Sequence, residues 1–284
     1  MLSIFKGKKK ISKVFSEHTF WKYIHYIEVK DFVLQINTNN RHLNYFLKNT
    51  FGDFLNGHKP DYIFNFYSSI RKVEIDKEDD YFGIFGQIQF FNTFFNYRYH
   101  KNSSVIDVLL PRKYENWEIE NFFKIFISSV SLNYNSLLIH ASAIIIDGEA
   151  VLFSGQSGAG KSTIANLSGY ELIHDDNILI SHLGNGVFEL ESIPFKTPYI
   201  KKKFKGKIRG FYRLFQSNNS YVKKIDSNRQ LTYLLFGLWA FDYFGNKDSK
   251  KYNSNVINYC IEILPYLKIR ELYFSKNLEF LKFI

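Results

Sequence analysis

Apolar residues recur along the chain in two rhythms. Trp21 to Ile36 (WKYIHYIEVKDFVLQI) and Gly83 to Leu110 are rich in aromatic and β-branched residues with intervals of alternation, which predicts short strands. Arg41 to Phe54 predicts a short helix. In Asn116 to Leu132 the residues Trp117, Phe122, Ile125, Phe126 and Val130 fall at helical intervals, which predicts a helix leading into a second unit. Leu137 to Phe153 holds two apolar runs around Asp147-Gly148, a pair suited to the positive φ angles of a two-residue hairpin turn. Beyond a short helix from Ser162 to about Ser168, Glu171 to His174 predicts a strand. Ser227 and Gln230 have the spacing of a capping box, opening a helix expected to reach about Leu264. A strand over Lys268 to Phe274 and a short terminal helix complete the reading.

This succession is that of an α/β chain, α+β overall. Residues 1–132 form an aromatic-rich, strand-rich N-terminal unit that would serve as an accessory or substrate-binding domain, and residues 133–284 form the unit that carries recognisable chemistry. A length of 284 residues agrees with two units, at roughly 150 residues per domain. With 45% hydrophobic and 23% charged residues, a disordered chain is excluded. The single cysteine, Cys260, excludes an internal disulfide framework and a Cys-rich zinc site. The lysines from Lys6 to Lys13 are not followed by an apolar core, so a secretory signal is not expected. The most apolar later stretch, Tyr233 to Phe244, is about half the ~20 residues a bilayer requires, and Asp242 interrupts it. A soluble, cytoplasmic protein without a membrane partner is the expectation.

The formal charge of +10 is local. Phe195 to Lys224 contains ten basic residues and no acidic one, and the rest of the chain is balanced. A nucleic-acid partner would require a broader basic surface and is not expected. The stretch reads as a basic loop, either facing one anionic partner or simply solvated.

Gly155-Gln156-Ser157-Gly158-Ala159-Gly160-Lys161-Ser162 satisfies G-x-x-x-x-G-K-[ST] without a mismatch. The glycines let successive backbone N–H groups of Gly155, Ser157, Gly158, Ala159 and Gly160 turn toward one anion, with Thr163 continuing the cradle into the helix. Lys161 would reach the β- and γ-phosphates of ATP or GTP, and the Ser162 hydroxyl would ligate Mg²⁺.

Asp175-Asp176 follow Lys161 by 14 and 15 residues. A helix of eight residues is about 12 Å long, so it returns the chain just far enough for a short strand to run back parallel to the first. That would carry both aspartates to the loop, where one can hold Mg²⁺ and the other accept a proton from an attacking hydroxyl. A solvated Asp-Asp-Asn turn is the alternative. Leu167-Ser168-Gly169 superficially matches the signature loop of ABC-type ATPases but follows Lys161 too closely to serve as one.

His140-Ala141-Ser142, a hairpin, GQSGAGKST and an Asp-Asp pair closing the next strand together resemble the catalytic domain of HPr kinase/phosphorylase and its relatives, over roughly Leu137 to Ile180. Phosphoenolpyruvate carboxykinases share that P-loop fold more distantly. The resemblance implies an HPr-kinase-like P-loop domain beside a smaller β-rich N-terminal domain. It implies that Asp175 is the general base, that Asp176 and Ser162 hold Mg²⁺, that Lys161 binds phosphate and that His140 lies near the reacting phosphate. The Glu-Ile-Arg-Gly-Leu-Gly signature of HPr kinases has its nearest counterpart in Lys207-Ile208-Arg209-Gly210-Phe211-Tyr212, with Lys in place of the metal-binding Glu. The chain therefore looks more like the diverged HPr-kinase-like enzymes, some of which phosphorylate serine in peptides.

The function expected is an ATP- and Mg²⁺-dependent kinase acting on a serine hydroxyl of a peptide or protein, with Arg209 and Arg213 contacting substrate or triphosphate. A small-molecule hydroxyl kinase and a nucleotide-binding regulator without transfer activity are the alternatives. Homo-oligomerisation is left open.

Overall fold

The computed structural model describes residues 20–52, 59–68, 84–90, 93–100, 103–194, 202–239, 249–275 and 277–284. These residues fall into two compact units, one ending at Phe126 and the other beginning at Ile127. Mixed parallel and antiparallel sheets with packed helices make the protein α+β. Among the described residues, no helix is long and apolar enough to cross a membrane.

The first unit holds strands β1 (Tyr23–Val29), β2 (Phe32–Thr38), β3 (Tyr62–Ser68), β4 (Ile84–Phe90), β5 (Thr93–His100) and β6 (Val105–Leu110), in the sheet order β1-β2-β3-β6-β5-β4. Helix α1 (Arg41–Phe51) links the parallel strands β2 and β3 and is capped by the Asn40 side chain, which accepts from the Leu43 N–H at 2.9 Å. Helix α2 (Asn116–Ser131) crosses from one unit into the other. Phe122, Phe123 and Phe126 of α2 meet Phe64 edge-on at 6.1, 5.6 and 4.7 Å, so edge-to-face ring packing carries much of this core. Trp117, expected on the same face, is 40% exposed, whereas Ile119, Phe122 and Phe126 are buried.

Neighbouring strands also align a row of polar side chains. Asn37, Asn65, Asp107 and Arg98 are cross-strand partners on β2, β3, β6 and β5. Asn37 donates to Asn65 at 2.8 Å, Asn65 to Asp107 at 2.9 Å and Arg98 to Asp107 at 2.7 Å. His100 lies 2.8 Å from the same carboxylate, so the buried charge of Asp107 is fully ligated.

The second unit begins with β7 (Ser136–Ile139), β8 (Ala141–Ile146) and β9 (Glu149–Ser154). Asp147 and Gly148, at φ 49° and 77°, close the β8–β9 hairpin as their residue types require. The seven-residue helix α3 (Lys161–Leu167) ends where Gly169 takes φ 71°, and β10 (Glu171–His174) and β11 (Ile178–His182) follow. Then come β12 (Val187–Ser192), β13 (Lys203–Gln216), β14 (Tyr221–Lys224), α4 (Ser227–Gly237), α5 (Ser249–Leu267) and β15 (Ile269–Phe274). The sheet order is β10-β8-β9-β13-β12-β11-β7, with β15 on β13 and β14 on β15. Ile164 and Ala165 of α3 pack with Val151, Phe153 and Phe274 in one core, while α4 and α5 pack with Leu152, Ile178 and Ile269 in the other.

Three expectations need correction. The basic stretch is not a loop: residues 203–216 and 221–224 are strands, and 195–201 lie outside the described residues. Lys203, Lys205 and Lys207 recur with the strand period, and two of them face acids: Lys203 pairs with Glu191 at 3.0 Å, and Lys205 stands opposite Glu189. Alternation of Lys with Phe204, Ile208 and Leu214 was the strand signal that the charge run masked. The cap of α4 is Asp226, which accepts from the Arg229 N–H at 2.9 Å, whereas Ser227 is already helical. The long helix expected to reach Leu264 is two helices, α4 and α5. The Lys6–Lys13 cluster falls outside the described residues.

Candidate active site

His140 is a pivot. The strand pair β7–β8 is one continuous stretch that changes partners at this residue: β7 pairs with β11, whereas β8 pairs with β9 and β10. Asp175, Asp176 and Asn177 make the matching transition between β10 and β11. Registers of His174 with Ala143 and of Ile178 with Ile139 bring the two transitions side by side. The consequence is a short contact, His140 Nε2 to Asp176 Oδ1 at 3.0 Å. The other oxygen of Asp176 accepts from the Asn177 side-chain amide. His140 is further held by its backbone N–H, which donates to the Gly237 carbonyl at 2.7 Å, and by Trp239, whose ring lies edge-on at 6.4 Å.

The glycine-rich segment leaves β9 at Gly155. A Cβ there would stand 2.6 Å from Ala159 Cβ, so the loop closes on itself only with glycine. Gly158 and Gly160 have φ 79° and 99°, and a Cβ on Gly160 would strike the Phe274 ring at 2.7 Å. The loop is braced from inside and outside: Ala159 N–H donates to the Gln156 carbonyl at 3.0 Å, and Gln216 donates to the Gly158 carbonyl at 2.9 Å. Lys161, buried, turns its ammonium back over the loop and donates to the Gly155 and Gln156 carbonyls at 3.0 and 3.3 Å. The Ser142 hydroxyl donates to the Lys161 carbonyl at 3.2 Å and ties the start of α3 to β8. Ser157 and Thr163 are exposed.

The loop and the aspartates meet through Ser162, whose hydroxyl lies 3.5 Å from the Asp175 carbonyl oxygen. Strand β10 does run parallel to β9, but β8 lies between them, since both pair antiparallel with it. The structure thus brings together Gly155 to Ser162, Asp175, Asp176 and His140. Two buried oxygens at this end of the unit, Ser154 Oγ beside Gly155 and Asn177 Oδ1 beside Asp176, have no hydrogen-bond partner among the described residues.

The two arginines separate. Arg213 is the cross-strand partner of Ser154, next to the loop, with its guanidinium over the Tyr233 ring at 5.5 Å. Burial pulls its pKa below the usual arginine value. Arg209 is taken up elsewhere, as a correction to its expected place: it pairs with Asp147 at 3.0 Å and Glu149 at 3.2 Å. Those acids sit at the hairpin end of β9, about 20 Å or more from Gly155 at about 3.3 Å per strand residue.

The sequence assigns no role to His174, Asn177 or Gln216, and Ser142 enters only as part of the His140-Ala141-Ser142 motif. His174 and Asn177 flank the aspartates, and turn chemistry could have flagged them. Nothing in the pattern marks Gln216, whose contact with the loop exists only through sheet order. Among the described residues there is no cluster of three or more His, Cys, Asp or Glu side chains fit to hold a metal ion. Comparison of the sequence with protein-family models finds no match, and comparison with curated proteins finds none.

Proposed function

We propose that this chain is an ATP- and Mg²⁺-dependent kinase with an HPr-kinase-like P-loop domain, transferring the γ-phosphoryl group to a serine hydroxyl of a peptide or protein. The observation that carries the reading is the 3.5 Å approach of the Ser162 hydroxyl to the Asp175 carbonyl, which joins the lysine–serine end of the glycine-rich loop to the aspartate turn.

The fit to a triphosphate rests on the glycine cradle. Its tightest points exclude any side chain, and the Lys161 ammonium is retained within the loop by two carbonyls. The fit to Mg²⁺ rests on donor chemistry. This ion is ordinarily held by one or two carboxylates together with substrate phosphates and water, not by an all-protein cage. Ser162 and Asp176 supply such a set, and the ion would neutralise charge between the β- and γ-phosphates.

In the transfer, Asp175 accepts the proton of the attacking serine hydroxyl as the new O–P bond forms and the bond from the γ-phosphorus to the β-phosphate oxygen breaks, releasing ADP. Lys161 balances the charge that develops on the phosphoryl oxygens. His140 acts on Asp176, holding that carboxylate in one orientation. Arg213, the cross-strand partner of Ser154, would supply a cation near the loop for a triphosphate or an acidic substrate.

The test is incubation of the protein with γ-labelled ATP, Mg²⁺ and a serine-containing peptide library. Label on serine supports the reading, whereas release of phosphate into water with no labelled acceptor contradicts it.

A further inference from the structure

His174, the last residue of β10, enters none of the steps above, yet its ring organises the turn on which they depend. The backbone N–H groups of Asp176 and Asn177 both donate to His174 Nδ1, at 3.1 and 3.0 Å. A ring nitrogen that accepts two N–H groups presents its lone pair to them, so Nδ1 is the acceptor and the ring hydrogen is assigned to Nε2. The chain therefore leaves β10 in a turn closed by a side chain.

The rest of the turn is held with equal care. Asn177, fully buried, donates to one oxygen of Asp176, and His140 meets the other. The Asp175 carbonyl faces the Ser162 hydroxyl. Within this set His174 is the side chain that takes up two of the turn's backbone N–H groups, and so it fixes where the turn stands.

We propose that His174 is a positioning residue: as the Nε2–H tautomer it clamps the Asp175–Asn177 turn and thereby sets where both carboxylates stand relative to the glycine-rich loop. The inference rests on the kinase reading for its effect on rate, but not for the clamp itself. Asparagine offers a conservative replacement, because its Oδ1 falls where His Nδ1 stands and accepts N–H groups two and three residues on. Phenylalanine keeps the ring and removes the acceptor.

In the full-length protein, His174→Phe should lower kcat for phosphoryl transfer about 100-fold, the scale expected when a reacting group is displaced by about 1 Å. The KM for ATP and the ATP-induced rise in Tm should stay within about threefold of wild type, and His174→Asn should recover the rate to within about tenfold. Ring-nitrogen NMR of the wild type should show the Nε2–H tautomer, a readout that needs no activity and no variant. An unchanged kcat in His174→Phe, no better rate in His174→Asn, or an Nδ1–H tautomer overturns the proposal. Absence of transfer by the wild type would instead defeat the kinase reading, and the tautomer would then decide the clamp on its own.

Discussion

The imidazole of His140 stands 3.0 Å from a carboxylate oxygen of Asp176, a residue 36 positions later in the chain. The contact arises because two chain segments change sheet partners at the same level, one at His140 and the other at the aspartate turn. It makes His140 a supporting group for the carboxylate proposed to hold Mg²⁺.

Replacing His140 by Ala should therefore lower phosphoryl transfer by about 10- to 100-fold, the usual scale for losing a group that orients a metal ligand. Nucleotide affinity should change far less, because no contact to the glycine-rich loop is lost. Steady-state kinetics alongside calorimetric ATP binding separate the two. A variant with unaltered kcat would remove His140 from the site.

Gly160 permits a sharp test of the cradle. At φ 99°, with the Phe274 ring where a Cβ would go, Ala at this position meets both backbone strain and a clash. Gly160→Ala should destabilise the fold by about 1–3 kcal/mol and abolish the stabilisation that MgATP gives the wild type. Thermal melts with and without MgATP measure both effects. A variant that MgATP still stabilises fully would show that this turn does not hold phosphate.

How much of this was legible in the sequence differs by element. The Asp147-Gly148 hairpin follows from two residue types that tolerate positive φ, and the glycine-rich loop from a spacing that few backbones other than a tight anion cradle demand. Strand β13 was hidden because its lysines dominate the composition, although Phe204, Ile208 and Leu214 show the alternation of a strand. Glu191 lies on the preceding strand and Asp147 is 62 residues from Arg209, so strand register and sheet order reveal these neutralising partners. The position of Arg209 failed for the same reason. The clamp by His174 is local, but a single histidine before two aspartates carries no pattern that distinguishes it from a solvated one.

Acid sensitivity of the first unit follows from Asp107. Burial alone would raise its pKa, but hydrogen bonds from His100, Asn65 and Arg98 outweigh burial and hold the carboxyl below its usual range. A folded pKa below the unfolded one gives stabilisation that is complete above about pH 4 and lost as pH falls through the folded value. Wild-type stability should fall steeply below about pH 4. Asp107→Asn should flatten that acid limb while costing about 3–5 kcal/mol at neutral pH, since Arg98 loses its charged partner. Denaturant melts across pH check this, and an identical acid limb in both proteins would contradict it.

The only cysteine offers a probe of global opening. Cys260 is buried in α5, and burial pushes its thiol up to about 12. A thiolate reagent at neutral pH should label it only as fast as the second unit opens, and ATP should slow that labelling if the nucleotide binds the folded unit. Immediate stoichiometric labelling of the native protein would contradict the packing of α5.

In the proposed transfer Asp175 is the base and is not needed to bind nucleotide. Asp175→Asn keeps the backbone carbonyl that faces Ser162 and removes only the proton acceptor. The decisive measurement is single-turnover transfer from γ-labelled ATP by this variant, paired with its calorimetric affinity for MgATP. Affinity should stay within about threefold of wild type while transfer falls by about 100-fold or more. Transfer at the wild-type rate would show that Asp175 is not the base.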